Sequence, residues 1–141
     1  MGIEYFIIGM SSKGAATKEE VLEIFSPYCI EKEENYYLLD YGDEVHEEHI
    51  VHNQCHFYID FYEDNLAVKD VTIIKPCGDL KMEQSVFQLI HLFPMIVTYP
   101  VDPLLVITAN QKCIEIIKEE HPDLLPDLTI VSSFEEYYEV I

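Results

Sequence analysis

Arginine is absent from this chain and lysine is scarce: eight lysines face 27 acidic residues across 141 positions, for a formal net charge of -19. Binding a polyphosphate requires Lys or Arg to displace its counterions, so this balance excludes nucleic acid and anionic membrane surfaces as partners. No apolar run reaches the ~18 residues a bilayer-spanning helix needs. The opening MGIEYFII has neither a basic leader nor a cleavage site, and the expectation is a cytoplasmic protein. Cys29, Cys55, Cys77 and Cys113 are dispersed with no C-x-x-C pair, so reduced thiols are expected rather than a disulfide framework. Internal repeats and low-complexity tracts are missing as well.

A chain of this length buries roughly two thirds of the surface its unfolded form exposes, enough to fold without metal, cofactor or disulfide. Ile3 to Ile8, ending at Gly9, is a run of β-branched and aromatic residues and predicts a buried strand. Thr17 and Glu20 form a T-x-x-E capping box for a helix carrying Val21, Leu22, Ile24 and Phe25 and stopped by Pro27. Three strands are expected next: Tyr36 to Tyr41, Cys55 to Tyr62, and a stretch within Leu66 to Lys75. The middle one alternates Cys55, Phe57, Ile59 and Phe61 with His56, Tyr58, Asp60 and Tyr62, so one face meets the core. A turn at Glu63-Asp64-Asn65 makes it and its successor an antiparallel hairpin, and the change of phase at Lys69-Asp70 predicts a bulge.

In the second half, Asp79 caps a helix whose Met82, Val86, Leu89, Ile90 and Phe93 form one apolar stripe, closed by Pro94. Strands at Met95 to Tyr99 and Leu104 to Thr108, an Asn110-capped helix, a strand at Leu128 to Val131 and a brief helix with a Ser133/Glu136 capping box complete the chain. The expectation is a single α+β domain over residues 1-141, with a mixed sheet and about three helices packed on it.

Three stretches invite a chemical reading. In GMSSKGAAT, Gly9 and Gly14 have phosphate-loop spacing. Ala15 and Ala16 nevertheless occupy the positions where a lysine and a Ser/Thr hold phosphate and magnesium. In HEEHIVHNQCH, His46, His49, His52, Cys55 and His56 crowd eleven positions, but His49 follows His46 at i+3, whereas the H-E-x-x-H zinc helix needs i+4. If the strand from Cys55 extends back through His52, His52 and His56 lie about 13 Å apart at ~3.3 Å per residue, too far to share an ion directly. His46 and His49 remain, two ligands suited to adventitious metal only. In IIKPCGDL, Cys77 stands between a strand and a helix, with His56 or His91 as distant candidate bases. Asp79 opposes a thiolate there, so an ordinary thiol is expected.

Charge clustering carries more weight. From Glu31 to Asp64 there are eleven acids and one lysine: Glu31, Glu33, Glu34, Asp40, Asp43, Glu44, Glu47, Glu48, Asp60, Glu63 and Asp64 against Lys32. Tyr36, Tyr58 and Tyr62 are interleaved with them, and Tyr37 and Tyr41 lie in the same stretch. Tyrosines supply contact area at low entropic cost and carboxylates steer a basic partner, which is the composition of a recognition surface. In its size, its acidity, its aromatic and carboxylate-rich strands and its want of a catalytic signature, the sequence resembles the bacterial immunity proteins of polymorphic toxin systems, including the contact-dependent growth inhibition type. That resemblance implies a non-enzymatic cytoplasmic protein that binds and blocks one cognate basic toxin domain, often a nuclease. The alternative is a small cytosolic enzyme using Cys77 or a metal at the histidine cluster.

Overall fold

The structure, a computed structural model, describes residues 4-63, 66-101 and 103-141. In chain order the elements are β1 (Tyr5–Gly9), α1 (Lys18–Phe25), β2 (Cys29–Glu33), β3 (Tyr36–His46), β4 (His49–Phe61), β5 (Val68–Ile74), α2 (Leu80–Leu92), β6 (Met95–Tyr99), β7 (Leu105–Thr108), α3 (Gln111–Glu120), β8 (Leu128–Ile130) and α4 (Phe134–Val140), with a 3-10 turn at Pro122–Asp127 before β8. The eight strands of the described residues join one sheet in the order β2-β3-β4-β5-β1-β6-β7-β8. Every pairing is antiparallel except β7 with β8, which are joined through α3. The fold is α+β with a mixed sheet, as expected, and its described residues form the three longer helices and the brief terminal one.

Local chemistry sets the helix ends. Thr17 Oγ1 accepts the Glu20 N–H at 3.2 Å while the Glu20 carboxylate accepts the Thr17 N–H at 3.0 Å, completing the box. Asp79 and Asn110 cap α2 and α3 by accepting the N–H groups of Lys81 and Cys113. At α4 the arrangement is displaced by one residue. Ser133 caps Glu136, but the Glu136 carboxylate reaches back to the N–H and hydroxyl of Ser132.

Period-two alternation sorts each strand's side chains to two faces of the sheet. The inner face packs against α1, α2 and α4. There Tyr37 stacks on Phe57 with ring centroids 5.0 Å apart, and Phe57 stacks on Phe25 of α1 at 4.8 Å. Met82, Val86, Leu89 and Ile90 of α2 are fully buried, as the stripe requires. Burying each such side chain contributes about 1.5–3 kcal/mol. Among the described residues the outer face is covered only at one end, where Cys113 and Ile117 of α3 close over Ile96 of β6 and Val106 of β7.

Gly9 ends β1 at a close approach: a Cβ there would meet the Lys69 carbonyl at 2.8 Å and the Tyr62 hydroxyl at 2.9 Å. The expected bulge is present, since Asp60 pairs with Asp70 but Phe61 pairs with Val68, leaving Lys69 as the extra residue. The loop itself falls on Asp64 and Asn65, outside the described residues. No helix among the described residues is long and apolar enough to cross a membrane.

Candidate functional site: the open face and its arm

Over β2 to β5 no described helix covers the outer face. Tyr36 of β3 and Tyr58 of β4 are cross-strand partners there, with ring centroids 4.4 Å apart, and His56 meets the Tyr36 ring edge-on at 5.2 Å. Glu34 and Asp60 border a shallow depression with Tyr58, joined by Glu4 and Thr72. Tyr58, the strand's clearest outward aromatic, is 42% exposed. Asp40 lies on this face too, accepting from the Gln54 amide at 3.2 Å.

One feature of the face was invisible in the sequence: Asp60 stands directly opposite Asp70. Like charges placed directly across two strands destabilise the pair. Burial pushes the Asp70 carboxyl above its usual range and Asp60 adds to this, while Lys69 and the Gly9 N–H oppose them. One Asp70 carboxylate oxygen is buried without a hydrogen-bond partner. Register, which no single strand encodes, creates this site.

Several expected contact residues lie elsewhere. Glu31 shares the inner side of the sheet with Cys29 and Tyr37, bordering α1, because β2 alternates faces just as its neighbours do. Tyr37 is 2% exposed and belongs to the core. Tyr41 tilts against Tyr28 at 4.8 Å, with its hydroxyl buried. Tyr62 is half-buried, its hydroxyl near Gly9, so it flanks the face rather than projecting from it. Glu63 borders a neighbouring depression with Tyr62 and Lys69. Asp64 lies outside the described residues.

The histidine-rich segment is neither helix nor loop. β3 and β4 run on past the body of the sheet as a two-stranded arm, with Asp43 opposite His52, Glu44 opposite Val51, Val45 opposite Ile50 and His46 opposite His49. Glu47 and Glu48 form its turn, Glu47 with a φ of 58°. Residues 42-52 are all exposed. At ~3.3 Å per residue the arm projects by roughly 15 Å. A bulge between Asp40 and Asp43, with Gly42 at a φ of 92°, marks its root. His52 Nδ1 lies 2.7 Å from Asp43 and His46 Nε2 lies 3.0 Å from Glu44. Among the described residues no three metal-ligating side chains converge, here or elsewhere.

Cys77 departs from expectation. The neighbouring Cys55 thiol pulls Cys77 down to about 7, helped by the Asp79 N–H and outweighing burial and the Asp79 charge, while the Cys55 thiol itself donates to Met82 Sδ at 3.7 Å. The sequence suggested that Asp79 would prevail, but Cys55 could not be placed beside Cys77 without the fold. Neither candidate base is near. His56 adjoins Cys55 in β4 and so faces the opposite side of the sheet, while His91 binds the Ala109 carbonyl at 3.1 Å.

Deeper on the inner side, Glu83 of α2 is 2% exposed. Its carboxylate accepts from Tyr137 at 3.0 Å, and Tyr137 in turn shares a hydrogen bond with Tyr99. Burial pushes its carboxyl up, against the opposing influence of the Tyr5 and Tyr137 hydroxyls, and its second oxygen has no partner.

No protein-family model, curated protein or solved structure matches this chain.

Proposed function

We propose that the chain is a binding protein that captures and neutralises a basic protein partner on the open half of its sheet. The resemblance to toxin immunity proteins supplies the identity of that partner, a cognate toxin domain. The observation that carries the reading is the Asp60–Asp70 pair, two opposed carboxylates beside Tyr58 on a face no described helix covers. A lysine or arginine placed between them relieves their repulsion and gains charge-assisted hydrogen bonds. Tyr36 and Tyr58 offer the apolar contact around it, and Glu33, Glu34 and Asp40 extend the negative field that steers approach.

The test is a pull-down followed by association kinetics at two salt concentrations. Tyr58→Ala and Asp60→Ala speed dissociation by the equivalent of about 1–3 kcal/mol, whereas reversing Glu33 and Glu34 to lysine mainly slows association and weakens its salt dependence. A tight partner that is acidic, or binding indifferent to both salt and these substitutions, overturns the proposal. A second reading, a thiol-dependent activity at Cys77, is favoured by the depressed pKa of that residue.

A further inference from the structure

The arm has two uncovered edges. Among the described residues β2 pairs with β3 only as far as Leu39, opposite Cys29, and the Tyr28 carbonyl takes the Asp40 N–H at 3.0 Å. β5 pairs with β4 only from His56 onward. Tyr41 to His46 and His49 to Cys55 therefore have a strand on one side alone, and residues 42-52 of that ribbon are exposed. Proteins ordinarily guard such edges with lysine, proline or very short strands. This arm has no lysine or proline, and its guards are carboxylates.

It also carries apolar surface that the fold does not use. Val45 is 72% exposed, Ile50 opposite it 60%, and Val51 42%. β-branched residues on a projecting ribbon are suited to packing against the alternate side chains of an added strand. Charge selects the occupant. Asp43, Glu44, Glu47 and Glu48 surround the apolar positions, and no lysine lies between Lys32 and Lys69. A second copy of this chain would bring four more carboxylates to the same ribbon, and like charges across a strand pair oppose that pairing.

We infer that the arm is a strand-pairing element, and that its occupant is an extended lysine- or arginine-rich segment of a partner protein added along one edge of the ribbon. The inference deepens the reading of the acidic face and rests on it, since both require a basic partner. Backbone hydrogen bonds hold the segment, Val45 and Ile50 on one face of the ribbon pack its apolar side chains, and the carboxylates of the arm, Glu44 on the other face among them, pair with its basic ones.

A synthetic octapeptide of alternating lysine and valine is the probe, with a form N-methylated at alternate residues as its control. The control keeps every charge but loses one edge of hydrogen bonds. The full-length protein is expected to bind the probe, and amide exchange from Tyr41 to Cys55 slows when it does. N-methylation weakens binding about tenfold or more, as does the double variant Val45→Lys/Ile50→Lys, while Asp60→Ala changes it by less than about threefold. Equal affinity for the N-methylated peptide, or unchanged exchange in the arm, overturns strand addition. If binding is instead abolished by Tyr58→Ala or Asp60→Ala, strand addition fails while the acidic-face reading stands. If wild type binds neither peptide, both fail.

Discussion

The two halves of the outer sheet face differ in one respect from which the rest follows. Over β6 to β8 the outward Ile96 and Val106 are apolar and α3 lies across them, beside Thr98 on the same face. Over β2 to β5 the outward residues mix Tyr36, Asp40, Gln54, His56, Tyr58, Asp60, Asp70 and Thr72 with the apolar Ile30, Leu38 and Ile74, and no described helix lies across those. The connection after β7 returns as a parallel strand, so a crossover helix was needed there in any case. The meander from β2 to β5 uses direct hairpins and brings no helix with it. Topology and composition agree, and the uncovered half is surfaced for contact with water or with something that replaces it.

That contrast can be broken by substitution. The largest effect is expected under α3. Ile117→Ala removes a fully buried side chain and costs about 2–5 kcal/mol in urea unfolding, whereas Tyr58→Ala costs less than about 1 kcal/mol. Equal losses at the two positions would mean that the open half is structural core.

A smaller effect, opposite in sign, concerns Glu83 on the inner face. Its folded pKa is raised, so the folded state holds a proton that the unfolded state has released. Stability therefore falls as pH rises from the usual glutamate range through the folded pKa, and stays lower above it. Glu83→Gln removes that penalty, and about 1–2 kcal/mol of stabilisation is expected at pH 8 with little at pH 4. A variant less stable than wild type at pH 8 would show instead that the carboxylate is held charged and contributes to the fold.

The smallest effect is a rate, and it reports coverage thiol by thiol. Cys77 should be alkylated first, with a half-maximal rate near the pKa of about 7. Cys113, on the fully buried side of α3, should react last. A Cys77 profile centred in the ordinary thiol range would remove the support for a thiol-dependent activity.

Where a residue's environment depends on its own element, the sequence was readable. The capping box at Thr17, the stripe of α2, the alternation of Cys55 to Phe61 and the bulge at Lys69 all announce themselves locally. β2 was missed because Cys29–Glu33 is an edge strand with four exposed residues in five, so it shows no apolar alternation. The arm was missed for the same reason, since a ribbon exposed on both faces has no core-facing period and its histidines and glutamates hide its β-branched residues. What depends on register was unreadable in principle. The Asp60–Asp70 pair, the contact between Cys55 and Cys77, and the closure of Tyr99 and Tyr137 on Glu83 each join residues from separate elements. The sidedness of Tyr37 was readable from the alternation of β3, and that of Glu31 would have been had β2 been recognised.

The position of β1 bears on how the chain is made. This first strand occupies the centre of the sheet, with Tyr5 paired to Ile73 and Gly9 to Met95. Both of its partners are synthesised long after it. At about 5–20 residues per second, β1 leaves the ribosome roughly 5 to 20 s before β6 exists to flank it. During that interval one edge of an apolar strand waits for its partner, while the meander ending in β5 can already assemble by local hairpins and take the other edge. The strand made first is thus the one that joins the two halves of the sheet, and it does so only once β6 has been made.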